Sequence, residues 1–133
     1  MTTTETLVHS TDSVSVRLLT PTIVENIIHD NSDIDVKDIR QLKEINKRLT
    51  DGAKYAILVN SGMMTSITSE ARELSANKDF QQETVAKALL IRSFGHRLVC
   101  RFYIKVNKPH IKTKIFSDRH KAVDWLKEQV REK

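Results

Sequence analysis

The stretch KYAILVNSGMMTSITSEAR, residues 54–72, decides the fold of this chain. It opens with an uninterrupted apolar run, which is typical of a strand buried on both faces of a sheet. Ser61 and Gly62 break the run, and Ser66 or Thr68 can cap a following helix, because a side-chain oxygen accepts a free N–H of the first turn. A buried strand that leads into a capped helix indicates an α/β domain.

The alternation of strands and helices continues on both sides of this stretch. Apolar runs predict further strands over residues 13–19, 22–29, 84–91 and 112–116. A turn at Pro21 separates the first two, so we expect them to pair antiparallel. The sequence therefore predicts an open α/β sheet of about five strands, mostly parallel with an antiparallel N-terminal strand, and four helices.

The clearest helix lies between the second and third predicted strands. Its apolar residues recur every three to four positions, at Val36, Ile39, Leu42, Ile45 and Leu49. Asp35 is the predicted N-cap, and Asp38 stands three residues later in the spacing of a capping box. Ser117 is the predicted cap of the last helix, and Phe102, Phe116 and Trp125 are expected in the core.

Residues 94–106 fit two structures. Alternate residues from Leu98 to Val106 are apolar, as in a strand, but every fourth residue from Phe94 to Val106 is apolar too, as in a helix. We prefer the helix, because Ser93 is a suitable cap and the sequence shows no strong turn that would let another buried strand follow directly.

Length and composition predict one domain in a reducing compartment. The chain has 133 residues, of which 39% are hydrophobic and 29% charged, enough for a core without covalent staples. Its single cysteine, Cys100, excludes an internal disulfide and points to the cytoplasm. We expect a flexible N-terminus over residues 1–12, a single domain over residues 13–133, no secretory signal and no transmembrane segment.

Positive charge is concentrated in one part of the chain. The net charge is +5, and residues 84–117 hold eight Lys and Arg residues and no acidic one. At helical spacing, Arg97, Arg101, Lys105 and Lys108 would form one basic edge, which could receive an acidic protein, anionic lipid head groups or nucleic acid. Nucleic acid is the weakest of these, since aromatics are 5% of the chain and no nucleic-acid motif is present. The alternative is a solvated face balanced by the acidic N-terminal half, within one molecule or across a homodimer.

Four stretches together resemble the STAS-like family, the domain of sulfate transporters and anti-sigma-factor antagonists. They are AKYAILVNSG (residues 53–62), SITSEAR (residues 66–72), AKALLIRS (residues 86–93) and RFYIKVNKPHIKTKIFSDRHKAVDWLKEQ (residues 101–129). The closest match is the stand-alone bacterial branch of unknown function. The resemblance implies a four-turn β/α superhelical fold with an added N-terminal strand, and it assigns residues 94–106 to a helix.

The resemblance also marks the start of the helix after the central strand. In anti-sigma-factor antagonists a serine or threonine there accepts phosphate, which makes Ser66, Thr68 and Ser69 candidate phospho-acceptors or an anion site. The acidic residue usual before this serine is absent, and Met63 and Met64 intervene. The alternative is that the three hydroxyls only cap the helix.

Two further features carry a hypothesis with a structural alternative. Met63 and Met64, at a strand–helix turn, could line an apolar pocket or pack in the core. Cys100 and His96 are four residues apart and could form a nucleophile–base pair, although a buried structural cysteine is more common. The other histidines show no spacing typical of a metal site.

These features favour a non-enzymatic regulatory or protein-interaction module of the STAS-like type, with a protein partner and no cofactor. A homodimer is part of this hypothesis. The alternative is a domain that binds or senses a lipid or a small anionic ligand at the C-terminal ends of the strands.

Overall fold

A computed structural model describes residues 7–131 of the chain. The strands are β1 (Leu7–Ser10), β2 (Val14–Thr20), β3 (Ile23–Ile28), β4 (Asp33–Ile34), β5 (Tyr55–Ser61), β6 (Ser66–Ile67), β7 (Thr84–Leu90) and β8 (Lys112–Phe116). The helices are α1 (Val36–Leu49), α2 (Ser69–Ala76), α3 (Phe94–Phe102) and α4 (Arg119–Arg131), and a π-helical segment (Tyr103–Asn107) continues α3.

Six of these strands form one sheet in the order β1-β2-β3-β5-β7-β8. β2 pairs antiparallel with both β1 and β3, and the remaining neighbours are parallel. The predicted α/β class, the mostly parallel sheet with an antiparallel N-terminal strand and the four helices are confirmed. The sequence did not predict the edge strand β1 or the separate two-residue ladder of β4 and β6. Of the range predicted to be flexible, residues 1–6 lie outside the described part of the chain.

Helix α4 covers one face of the sheet. Its Ala122 and Leu126 are fully buried in a cluster with alternate residues of three strands, namely Ile23, Ala56, Leu58, Ala86, Ala88 and Leu90. Successive residues of a strand point to opposite faces, so the residues between them face the other side. On that side α1 packs Leu42 and Ile45 against β2 and β3.

A bulge at Val85 sets which side chains of β7 face away from α4. Beyond it, Lys87 pairs with Ile57 of β5, and Leu89 pairs with Val59. Directly paired residues of neighbouring strands share a face of the sheet. The bulge therefore places a lysine among apolar side chains on the face opposite α4.

The predicted caps of the first three helices are confirmed. Asp35 accepts a hydrogen bond from the Asp38 N–H, and the Asp38 carboxylate accepts one from the Asp35 N–H, each at 3.1 Å. Thr68 caps α2 and Ser93 caps α3 through their hydroxyl oxygens. Each cap satisfies an N–H that the helix itself leaves without a partner.

The prediction that Ser117 caps the last helix is wrong. Helix α4 begins at Arg119, and the carboxylate of Asp118, immediately before it, accepts from the Lys121 N–H at 3.2 Å. A carboxylate one residue closer to the helix fulfils the role assigned to the hydroxyl.

The predicted helix over residues 94–106 is confirmed as helical, but it changes type. The α-helix ends at Phe102 and the π-helical turn leads to Lys108, which has a left-handed backbone (φ 49°). Cys100 and Tyr103 are buried, whereas Phe102 is 48% exposed. The prediction that Phe102 lies in the core is wrong, because the helix rests on the domain through the side that carries Cys100 and Tyr103.

Within residues 7–131, no helix has both the length and the apolar composition needed to cross a bilayer.

Candidate functional site

A cavity of about 390 Å³ lies on the face of the sheet opposite α4. Its floor is formed by Ile57 and Val59 of β5 and Leu89 of β7. Helix α2 packs mainly against α1 and the π-helical segment, so it does not lie flat on the central strands. The space left over the middle of the sheet is the cavity.

The cavity opens beside the turn that follows β5. Met63, Met64 and Val99 line it and are exposed by 48%, 79% and 51%. The two methionines predicted to line an apolar pocket thus stand at the opening of this cavity. Their flexible thioethers suit a boundary between an apolar interior and solvent.

The turn at the opening is fixed to the end of β3. The Met63 N–H donates to Asp30 Oδ1 at 2.8 Å, and the Met63 carbonyl accepts from the Asn31 N–H at 2.9 Å. A Cβ on Gly62 would lie 2.3 Å from Asp30 Oδ1 and 2.8 Å from the Asp30 nitrogen. Only a glycine allows this close approach of the two chain segments.

The opposite end of the cavity is buried and polar. It lies at the start of β5 and β7, where Tyr55 and Thr84 are 1% and 8% exposed. Asn26 and Asn46 also line it and exchange two amide hydrogen bonds, of 2.9 and 3.0 Å. The cavity therefore has an apolar, open end and a polar, buried end.

Lys87 is the most deeply buried charged side chain of the lining, with an exposure of 8%. Its Nζ lies 3.3 Å from the Tyr103 hydroxyl and 3.4 Å from the Ser75 carbonyl oxygen. Within residues 7–131 no carboxylate forms an ion pair with it. Lys87 was not among the residues predicted to form a site, although a lysine inside the apolar strand TVAKALLI is a visible signal.

Two other residues of the lining each have a buried donor without a hydrogen-bond partner. The Nε2 of Gln81 is one, in a side chain only 3% exposed whose Oε1 accepts from the His110 N–H at 3.1 Å. The Nε of Arg72 is the other, while its Nη1 donates to the Ile67 carbonyl oxygen at 3.0 Å. A buried donor left unpaired costs about 1–3 kcal/mol. An acceptor that pairs with either nitrogen would therefore stabilise the folded protein.

Cys100 lines the cavity but is not an activated nucleophile. Burial raises the pKa of its thiol to about 11, although the nearby charge of Arg97 acts the other way. Burial, and then the charge of Arg92, lowers the pKa of His96. At neutral pH the thiol is protonated, which argues against the Cys100–His96 pair as a catalytic unit.

The three candidate phospho-acceptors lie near the start of α2 and are all exposed. Thr68 accepts from the Ala71 N–H at 3.1 Å as a cap. The Ser66 hydroxyl donates to Asp33 Oδ1 at 2.5 Å, and the Ser69 hydroxyl lies 3.4 Å from Glu70 Oε1. Two carboxylates beside these hydroxyls oppose the binding of an anion at this helix start.

The candidate basic edge does not form a single α-helical line. Arg97 and Arg101 belong to α3, but Lys105 lies in the π-helical segment and Lys108 follows its end. The α-helical spacing that aligned all four therefore applies only to the first two. Arg101, Lys105 and Lys108 are exposed, and Arg97 is half-buried.

A family model matches residues 18–130, which is most of the chain, and its description is Domain of unknown function (DUF7793). The chain belongs to this family. Among curated proteins, none matches this DUF7793 sequence.

A solved structure shares the fold of the DUF7793 chain. It is the crystal structure of an uncharacterized protein of the DUF3478 family, with a SpoIIAA-like fold, from Shewanella loihica PV-4. The two chains are 13% identical, the match covers 86% of this chain and 92% of that one, and the TM-score is 0.58. The predicted STAS-like fold is confirmed by this likeness, which at such identity concerns the fold alone.

A second charged cluster lies on the α4 face of the domain. Glu25 is fully buried, and the guanidinium of Arg119 donates to both of its oxygens, at 2.7 and 2.8 Å. Burial alone would raise the pKa of Glu25, but hydrogen bonds from Arg119 and Asn60 and the charges of Arg119 and Arg17 outweigh it and lower the pKa. This carboxylate is fully paired and lies outside the cavity lining.

Across residues 7–131, no three His, Cys, Asp or Glu side chains are grouped so as to hold a metal ion. The candidate site is therefore the cavity, with an apolar opening and a buried lysine.

Proposed function

We propose that this DUF7793 domain binds a small amphipathic molecule in the cavity between the sheet and helices α1 to α3. The observation that carries the proposal is the cavity of about 390 Å³, which opens at Met63 and Met64. Small-molecule sites in proteins commonly measure about 300–1,000 Å³. A volume near the lower limit suits a ligand with one short apolar chain or ring system.

The lining supports a ligand with an apolar body. Ile57, Val59 and Leu89 border the open space of the cavity. In a close-packed protein interior, other side chains would contact them there. A ligand in this space restores van der Waals contacts that the empty cavity lacks. The polar side chains at the buried end supply the few orienting groups that such sites usually contain.

Two titratable groups of the lining favour binding over catalysis. Burial raises the pKa of Tyr55 and of Cys100, and burial lowers the pKa of His96. Each shift favours the neutral form of its group. For Cys100 and Tyr55 the neutral form is the unreactive one, because a thiolate or a phenolate is the nucleophile or base. These two groups therefore favour binding over catalysis, whereas the shift at His96 leaves the basic form of the imidazole and does not bear on this choice.

Binding can be tested with N-phenyl-1-naphthylamine, a neutral dye that becomes fluorescent in apolar surroundings. We expect the full chain to bind it and Val59→Phe to weaken binding by about tenfold or more, since each ~1.4 kcal/mol of lost affinity is a factor of ten. Val59 lines the cavity at the sheet, so a phenyl ring there occupies ligand space.

The matched control is Leu98→Ser, a residue of α3 that is 50% exposed and does not line the cavity. It should bind the dye like the wild type. Equal loss of binding in both variants, or no loss in Val59→Phe with an unchanged melting temperature, would contradict the proposal.

We propose docking of an acidic protein as a second function, on the basis of an exposed apolar surface. Four apolar residues of α3 and the π-helical segment form it, with exposures of 73%, 50%, 48% and 56% for Phe94, Leu98, Phe102 and Val106. We call this the α3 surface. Exposed apolar patches bordered by charge are common at interaction sites, and Arg101 and Lys105 border this one.

A pull-down with the tagged full chain from its native cells tests the second proposal. We expect the same protein to be recovered repeatedly, to be lost at high salt because charge contributes, and to be lost with Phe94→Ser/Leu98→Ser. A double substitution to serine at His120 and Lys121, exposed on α4, should retain it. Recovery of the same protein by the α3 variant would exclude this surface.

A partner that proves to be a second copy of this chain should appear as a dimer by light scattering. Only the α3 variant should abolish that dimer.

A further inference from the structure

Lys87 is a buried cation whose counter-ion the described chain does not supply. It is 8% exposed, and its two neighbours within hydrogen-bond distance, the Tyr103 hydroxyl and the Ser75 carbonyl, are both neutral. By contrast Lys43, also in the lining, is paired with Glu83 Oε1 at 2.8 Å. Burying an ammonium group without an anion is costly, and an anion bound beside it would offset that cost.

The neighbouring side chains of the lining offer donors rather than acceptors. An ammonium carries three N–H groups, and only two have an acceptor at Lys87. Gln81 and Arg72 line the same cavity, and each has a buried side-chain nitrogen, Nε2 and Nε, without a hydrogen-bond partner. A group with two acceptor oxygens and one negative charge matches this set of donors.

The depth of Lys87 and Gln81 fixes the direction of such a ligand. These two residues are 8% and 3% exposed, whereas Met63 and Met64 at the opening are 48% and 79% exposed. The charged end therefore enters first, and the apolar chain lies over Val59 and Leu89 toward the methionines.

We propose that the cavity selects a monocarboxylic acid with a short apolar chain, its carboxylate bound by Lys87 at the buried end and completed by Gln81. This inference rests on the proposed function, and it adds the chemical class and orientation of the ligand. The Tyr103 hydroxyl, 3.3 Å from Lys87 Nζ, holds the ammonium in place.

The test compares octanoate with octan-1-ol, which has the same chain length but no charge, as competitors that displace N-phenyl-1-naphthylamine from the full chain at about pH 8. We expect Lys87→Met to weaken octanoate binding by about tenfold or more and to leave octan-1-ol within about twofold. Methionine keeps the length and apolar stem of the side chain, so the fold should persist, as a thermal melt will verify. Lys112→Met, on an exposed lysine of β8, should change neither affinity.

Gln81→Glu provides a second, isosteric variant. It keeps an oxygen to accept from the His110 N–H but replaces the unpaired donor by a carboxylate that repels octanoate and competes for Lys87. We expect octanoate to lose about tenfold in affinity while octan-1-ol is unaffected.

The outcomes separate the two proposals. If the dye binds and octan-1-ol displaces it, but octanoate binds equally well to wild type and Lys87→Met, the anion site is wrong and the cavity proposal stands. If octanoate does not displace the dye from the wild type, the anion site is again overturned. If the dye does not bind the wild type at all, the proposed function itself fails.

Discussion

At the scale of single residues, the two charged side chains that are buried among residues 11–131, Glu25 and Lys87, have opposite surroundings. Glu25 is fully buried and receives two hydrogen bonds from Arg119 and one from Asn60. Lys87, on the other face of the sheet, has only neutral neighbours. A buried carboxylate with complete pairing serves the structure, whereas the buried ammonium without a counter-ion is the group that we propose binds a ligand.

Arg119→Ala should lower the free energy of unfolding at pH 7 by about 2 kcal/mol. It removes two charge-assisted hydrogen bonds from a buried carboxylate, and the loss stays below the roughly 3–5 kcal/mol of a fully buried pair because the Arg119 side chain is 40% exposed. Arg131→Ala, on an exposed residue at the end of the same helix, should cost little. Urea denaturation followed by circular dichroism measures both.

The loss should also depend on pH with a defined sign. The pKa of Glu25 is lowered in the folded state, so its stabilising contribution is complete above the unfolded value of about 4.3. It disappears as the pH falls through the lower, folded value. The difference between wild type and Arg119→Ala should therefore shrink over a range of pH that begins at about 4.3 and extends to lower pH. A difference that is constant across this range would mean that Arg119 acts through other contacts.

At the scale of elements, the boundaries of the helices were predictable because caps are local. Asp35, Thr68 and Ser93 each precede a helix and accept an N–H three residues later. The π-helical segment after Phe102 was not predictable, since the periodicity of apolar residues does not reveal where the backbone widens. Phe102 was misassigned for a different reason, since it lies with Phe94 and Leu98 on the exposed side of α3.

The turn after β5 is the element that shapes the opening of the cavity, and Gly62→Ala tests it. An added Cβ would lie 2.8 Å from the Asp30 nitrogen and 2.9 Å from the Ile28 carbonyl oxygen. Backbone atoms cannot yield locally, so we expect a loss of about 1–3 kcal/mol in stability and weaker dye binding as the turn moves.

Gly95→Ala is the matched control for that substitution. Gly95 also lines the cavity, but a Cβ there would meet nothing within 4 Å. Because alanine is the better helix former, stability should stay equal or rise by up to about 1 kcal/mol. Equal melting temperatures for both variants would show that the turn tolerates displacement.

At the scale of the whole molecule, the class of fold could be predicted because its signals are local and repeated. The apolar runs that became β5 and β7 and the capped helices between them sufficed to indicate a mostly parallel sheet. The cavity could not be predicted, because it depends on α2 packing against α1 and the π-helical segment rather than on the strands. The sequence of α2 does not show which elements this helix packs against.

The candidate site was predicted only at its opening. Met63 and Met64 lie at a strand–helix turn, and both line the cavity. Ligands of open α/β sheets commonly bind at such turns, at the carboxyl ends of the strands. Lys87 was missed because its neighbours made the strand resemble a continuous apolar run. The face of the sheet on which the Lys87 side chain lies depends on the bulge at Val85, and the sequence does not predict this bulge.

The alternation along β5 makes the two faces of the domain separable for a protein engineer. Ala56 and Leu58 face α4, while Ile57 and Val59 face the cavity. Exchanging the second pair changes the shape of the cavity and leaves the contacts that hold α4 untouched. The strand is thus a ready scaffold on which one could graft new ligand preferences while retaining the architecture beneath.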